Sequence, residues 1–137
     1  MNQEAVFPYQ LDRAFFVNLQ ARRAPQVPEQ VSLKFSVGVR VQDQQFPDKL
    51  QVDIKLETVG DDQPFTLIAE LVGLFVLVEN VPEPTPDIIP TFVNKWALHL
   101  LWPYMAQMLR IITGQMGTNP IDFRTPYAFQ VELLEEH

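Results

Sequence analysis

The sequence predicts an α+β fold in which a four-stranded antiparallel sheet packs against one long helix, with a short helix near the C-terminus. Three observations support this class. Segments with a period of two fill the first half of the chain, a proline-rich segment follows, and an apolar segment with a helical period comes after it. We expect residues 1–137 to form a single domain, because chains of this length are usually one domain.

Two segments show the clearest alternation of apolar and polar residues, and both predict strands with one covered face. They are residues 31–41, VSLKFSVGVRV, and residues 50–58, LQVDIKLET. Residues 65–78, FTLIAELVGLFVLV, alternate at first and become apolar on both faces from Leu71 onward, which predicts a strand that is covered on both sides at that end. A further strand is predicted at residues 15–21. Since consecutive strands usually lie side by side, we expect a meander.

A crossover and a long helix are predicted after the strands. Residues 79–91, ENVPEPTPDIIPT, contain four prolines, which neither donate to a sheet nor continue a helix, so a stiff extended loop is expected. After Pro90 the period becomes helical, and Gly117 is a plausible end of the helix. Pro103 either begins a helical segment or bends the helix. The short C-terminal helix is predicted after Pro126. The stripe expected to cover the sheet is Leu101, Met105, Met108, Leu109, Ile112 and Met116.

The opposite side of the long helix is also apolar. A helix that is apolar on all sides is buried on all sides, and a chain of this size has no second layer to cover it. We therefore expect a homo-oligomer, a dimer or a tetramer, in which helices pack against helices between outer sheets. The expected interface residues are Trp96, Leu100, Tyr104 and Ile111.

Composition and motifs disfavour several functional classes. The formal net charge of -7 disfavours a nucleic-acid partner, and the absence of cysteine excludes disulfides and Cys-ligated zinc. His99 and His137 lack the spacing of a metal-ligand pair, and no nucleophile elbow, P-loop or dinucleotide fingerprint occurs. We thus expect no enzyme activity, metal or cofactor. The long helix is interrupted by polar residues and Pro103, and no signal peptide is evident, so a cytoplasmic protein without membrane insertion is expected.

Three short motifs in the second half of the chain resemble the SecB family of bacterial chaperones for unfolded preproteins. The family pattern is Leu-Phe-Pro-Tyr-Ala, then Arg-Gly-Thr-x-Pro, then Ala-Pro-Val-Asn-Phe before a last helix. The matching residues are Leu101, Trp102, Pro103 and Tyr104, then Gly117, Thr118 and Pro120, then Pro126 and Phe129. The resemblance implies a four-stranded antiparallel sheet with helices on one face, assembled as a dimer of dimers with the helices between sheets.

The resemblance also implies a function, namely ATP-independent holding of unfolded or nascent polypeptide in apolar grooves near the crossover. It places the peptide-binding residues at Phe75, Leu77, Val81, Ile88, Ile89, Phe92 and Trp96. The alternative for Ile88, Ile89 and Phe92 is that they hold the loop against the core. The resemblance further implies transfer of clients to the SecA motor through an acidic sheet face, but the mixed charges predicted on this face argue against docking to SecA. Two alternative functions are considered. The protein could be a scaffold for one dedicated partner, or it could bind a small ligand in a pocket between the sheet and the crossover.

Overall fold

The computed structural model describes residues 8–24, 35–59 and 65–115, together with the backbone of a strand at residues 131–135. The first four strands and the long helix occur in the order that the sequence predicts. The strands are β1 (Tyr9–Arg23), β2 (Phe35–Gln42), β3 (Lys49–Thr58), β4 (Phe65–Leu77) and β5 (Val131–Glu135). The helical residues are a 3-10 turn (Pro86–Ile88), α1 (Ile89–Phe92), a π-helical turn (Val93–Ala97) and α2 (Leu98–Gln115).

The five strands form one sheet in the order β1-β4-β3-β2-β5. The predicted meander is correct for β2, β3 and β4, which pair antiparallel in sequence order. It is wrong for β1, which pairs antiparallel with β4 and so completes a Greek key. The reason lies in β4, whose C-terminal half is apolar on both faces. A meander would leave that strand at the edge of the sheet, whereas the observed order places it between two neighbours.

The C-terminal segment differs from the prediction. Residues 131–135 form a strand parallel to β2, so the predicted short helix is wrong for these residues, while residues 121–130 lie outside the described part of the chain. The sequence VELLE begins with the alternation of a strand, and five residues are too few for a helix to be favoured by periodicity. The edge of β2 that is not covered by β3 can accept such a segment, because every second residue of the segment can hydrogen-bond to it through its N–H and C=O groups.

The core lies between the helical segment and one face of the sheet. Alternate residues of β2, β3 and β4 are buried there, as the period of two predicts. On α2, Leu101, Met105 and Leu109 are fully buried against this face, while Met108 and Ile112 are half-buried. Gly117 and Met116 lie outside the described residues. Within the described ranges, no helix combines the length and the hydropathy that are needed to cross a bilayer.

Pro103 lies inside α2, so it does not begin the helix. Its missing N–H removes a hydrogen bond to the carbonyl of His99, and its ring crowds that carbonyl. Two local features accommodate the ring. Pro103 is exposed, on the side where helix carbonyls tilt toward water, and the π-helical turn at Val93–Ala97 precedes it. A proline inside a helix and a π-helical turn are both recognised causes of helix bending, which favours the second of the two interpretations of this proline.

Gly73 of β4 lies at a close approach between the sheet and α2. A Cβ atom on this residue would lie 2.6 Å and 2.7 Å from the two terminal methyl carbons of Leu101. We expect Gly73→Val to lower the free energy of unfolding by about 1–3 kcal/mol, because overpacking shifts the helix or forces Leu101 out of its rotamer. Urea denaturation measures the difference. The matched control is Thr66→Val, an exposed position on the same strand, which we expect to change stability by less than about 0.5 kcal/mol.

A second variant tests whether the loss of stability in Gly73→Val arises from the clash with Leu101. Leu101→Ala removes the two methyl groups that collide with the new side chain, so in the Gly73→Val background it should cost less than it does alone. Additive costs in this double-mutant cycle would contradict the proposed contact.

Candidate functional site

The end of β4 fixes the point where the crossover leaves the sheet. The backbone N–H of Leu77 donates to the carbonyl of Asp48 at 2.9 Å, and the N–H of Val78 donates to the carbonyl of Pro8 at 2.8 Å. Asn80 then adopts a left-handed backbone conformation with φ 65°, which asparagine tolerates better than most residues. The chain therefore turns away from the sheet at a defined residue.

The crossover, residues 78–88, is held open by prolines and local hydrogen bonds. The N–H of Ile88 donates to the carbonyl of Thr85 at 3.1 Å, and the Thr85 hydroxyl donates to the Asp87 carboxylate. The crossover carries three exposed acids and no Lys or Arg, so it presents negative charge beside its apolar residues. These acids are Glu79, Glu83 and Asp87.

Beneath the crossover lies an aromatic cluster. The ring of Phe92 meets those of Tyr9 and Phe75 edge-on, each with a centroid distance of 5.1 Å. The Tyr9 hydroxyl donates to the carbonyl of Pro47 at 2.8 Å. Burial, and to a smaller extent the Asp48 carboxylate, raise the pKa of Tyr9 above its ordinary value. This cluster fixes the start of the helical segment onto the end of the sheet.

The seven residues that the resemblance places in the peptide groove differ in how much of their surface is exposed. Phe75 and Phe92 are 0% and 2% exposed, so in this structure they belong to the core and offer almost no surface to a ligand. For Phe92 this favours the alternative of a core residue. The other five are half-buried, and we name them the crossover patch: Leu77, Val81, Ile88, Ile89 and Trp96.

Four of the five residues of the crossover patch lie near Phe92. Ile88 and Ile89 precede this residue by one helical turn and Trp96 follows it by one, so the three share its side of the helix. Leu77 is paired with Tyr9 in the sheet, and Tyr9 contacts Phe92. Leu77, Ile88, Ile89 and Trp96 pack against the core with one part of their surface and keep the rest accessible. Their role in peptide binding remains a prediction.

A second apolar surface lies on α2. Leu100, Tyr104 and Ile111, three of the four residues expected at an oligomer interface, are exposed, and Tyr104 keeps 47% of its surface. The fourth, Trp96, is half-buried and belongs to the crossover patch as well. The three exposed residues follow a helical spacing of four and seven, so they form one stripe, which we name the α2 stripe.

Sequence reasoning missed a third apolar surface, on β1. Phe15, Val17 and Leu19 are exposed. The strand that carries them was predicted only at residues 15–21, and no exposed apolar face was predicted for it. The register of β1 against β4 shifts between Leu11 and Arg13 and again between Phe16 and Asn18. The adjacent pair Phe15–Phe16 was the available signal, because two neighbouring aromatic residues in a strand occupy opposite faces.

The sheet face away from the helices has mixed charge, as predicted. The Lys55 Nζ lies 4.0 Å from carboxylate oxygens of both Glu57 and Glu70. The side-chain amides of Gln42 and Gln51 donate to Asp53 at 3.0 Å and 2.9 Å. The acid of β4 therefore sits on the polar face beside a lysine.

The chain was compared with known proteins. No protein-family model and no curated protein matches it. Among solved structures it is similar to the SecB-like chaperone Rv1957 of Mycobacterium tuberculosis in complex with a ChAD peptide from the Rv1956 HigA1 antitoxin. The TM-score is 0.71, the sequence identity is 17%, and the match covers 85% of this chain and 90% of the other. The chain thus has a SecB-like α+β fold, which confirms the fold predicted from the three motifs.

Proposed function

We propose that this protein is an ATP-independent binding module that holds unfolded or nascent polypeptide through the crossover patch. The main supporting observation is that four apolar side chains packed against the core near Phe92, those of Leu77, Ile88, Ile89 and Trp96, stay partly accessible although Phe92 itself is buried. The peptide complex of the structural neighbour supports polypeptide as the ligand class.

The chemistry of the patch suits an unfolded client. Such a client offers apolar side chains at irregular spacing, and a half-buried aliphatic or indole surface gains free energy from any of them when water leaves. Because the aromatic cluster already fixes the patch, little conformational entropy is lost on binding.

The acidic crossover adds a charge preference. The exposed acids near the patch are Glu79, Glu83 and Asp87. Clients that carry Lys or Arg beside their apolar residues should therefore associate faster than uncharged clients. Their affinity should fall as the salt concentration rises, because salt screens the attraction.

We further propose that the protein works as a homo-oligomer through the α2 stripe. The stripe leaves three large apolar side chains in water in a single chain, and packing against the same stripe of a second copy would cover both at once.

The test is suppression of client aggregation by wild-type protein at stoichiometric ratio without nucleotide. We expect Ile88→Ser combined with Ile89→Ser to reduce suppression at least fivefold, because each change removes apolar contact surface worth about 1 kcal/mol or more. Light scattering of a thermally unfolding model enzyme measures it. The matched control is Val59→Ser, which alters an exposed apolar residue outside the patch and should leave suppression unchanged.

Circular dichroism checks that the double variant is folded. Full suppression by a folded double variant would contradict the role of the crossover patch, and no suppression by intact wild-type protein would contradict the proposed function.

The neighbour's complex with one antitoxin peptide also favours a second candidate, a scaffold for one dedicated partner. This candidate differs in its expected result: a single polypeptide is recovered on pull-down, the crossover-patch variant loses it, and general clients aggregate unhindered.

A further inference from the structure

The strand β5 occupies the edge of β2 in a way that sets it apart from the rest of the sheet. All other described pairings are antiparallel, whereas β5 pairs in parallel and only with β2. Parallel pairing is slightly less stable per residue, and the segment is only five residues long. Without β5, the backbone of β2 would present an unpaired row of donors and acceptors.

The register shows what the β2 edge accepts. Val131 and Leu133 lie beside Val37 and Val39, which are buried, and Glu132 lies beside Gly38. The match therefore consists of backbone pairing plus apolar residues at alternate positions. An extended segment of an unfolded chain with apolar residues at alternate positions meets the same two requirements, which is the basis of recognition by strand addition.

From this we infer that the β2 edge is a second peptide-binding site, at which β5 acts as a resident competitor that an extended client segment displaces. The inference rests on the proposed function, because it assigns a further contact to the same class of client. A tethered segment competes at an effective concentration on the order of millimolar, so a weak five-residue strand suffices to keep the edge covered in the absence of client.

The occupancy of the edge is tested by a disulfide. The chain contains no cysteine, so Arg40→Cys with Leu134→Cys introduces a unique pair at partnered positions, one of them exposed on β2. We expect an intramolecular cross-link under mild oxidation. The matched control, Arg40→Cys with Leu133→Cys, is one residue out of register and on the opposite face, so it should cross-link at least tenfold more slowly. Equal rates, or a cross-link only between two chains, would overturn the inference.

Displacement is tested with a fluorescent peptide of residues 130–137, QVELLEEH, by anisotropy. A chain that ends at Gln130 should bind this probe roughly tenfold more tightly than the full chain, which is the factor expected when a millimolar tether competes with a dissociation constant near 0.1 mM. The variant Arg40→Cys with Leu134→Cys should not bind the peptide when its disulfide is formed, and reduction should restore binding. The single variant Arg40→Cys controls for loss of the arginine.

The outcomes separate this inference from the proposed function. If oxidised and reduced forms bind the probe equally, the inference fails, even where the shortened chain does not fold. If the oxidised form suppresses client aggregation as well as the reduced form, the crossover patch alone holds clients and the displacement of β5 by clients is contradicted. If the probe behaves as expected but no client is held, the proposed function fails and the edge binds only the chain's own segment.

Discussion

We expect Tyr104→Asp to disrupt the proposed oligomer and leave a monomer. Tyr104 is the most exposed residue of the α2 stripe, and in a two-fold interface each substitution acts twice. Removing a central aromatic contact commonly costs about 2 kcal/mol or more, so two copies weaken association by roughly a thousandfold. The new carboxylates would also face each other across the interface. Size-exclusion chromatography with light scattering, together with native mass spectrometry, measures the change.

Val59→Asp is the matched control for this experiment. Val59 is 44% exposed, close to the value for Tyr104, but it directly follows β3 and is not part of the α2 stripe. It should leave the oligomer intact. Because Tyr104 is half exposed in the chain, the monomer should keep its fold by circular dichroism. An unchanged oligomer in Tyr104→Asp, or a monomeric wild-type protein, would show that the α2 stripe is not the interface.

Phe92→Ala is expected to destabilise the protein by about 3–5 kcal/mol. Its ring is 2% exposed and meets two aromatic rings edge-on, so truncation leaves a cavity between the crossover and the sheet. This cost is a large part of the 5–15 kcal/mol that holds a typical domain folded. Urea denaturation measures the loss, and the crossover patch should become accessible to protease at lower urea than in the wild type.

The matched control is Phe15→Ala, the same truncation at an exposed position on β1, where less than about 1 kcal/mol is expected. The pair also decides between the two interpretations of Phe92. If Phe92→Ala stays as stable as the wild type and loses client binding, then Phe92 is a binding residue. If it unfolds readily while Ile88→Ser with Ile89→Ser stays folded, then Phe92 is core and the patch is the surface.

The positions of β3 and β4 were predicted well because a period of two indicates which residues share a face, whereas β1 begins at Tyr9, six residues before its predicted start. The boundaries of β3 and β4 differ from the prediction by one residue at a single end. The order of strands was not predictable in the same way. Pairing depends on which edges remain open after the other strands have joined, and the alternation in β1 says nothing about whether its neighbour is β2 or β4.

The candidate site was predicted in part. The chain segment from Phe75 to Trp96 was identified as apolar and proline-rich, and several of its residues do pack in or against the core. Composition could not separate Phe92 from Ile89, since both are large and apolar. The separation arises from Tyr9, a residue far away in sequence that contacts Phe92 from the first strand.

The sequence by itself determined the fold class, the faces of β2, β3 and β4, and the apolar character of both sides of α2, since these follow from local periodicity. The tertiary structure decided the neighbours of β1, the position of Pro103 inside the helix, and the strand state of residues 131–135. Each of these depends on groups that are distant in sequence. The open edge of β2 favours a strand at residues 131–135, and the close approach at Gly73 limits the distance between β4 and α2. The contact between Tyr9 and Phe92 helps to bury Phe92 in the core.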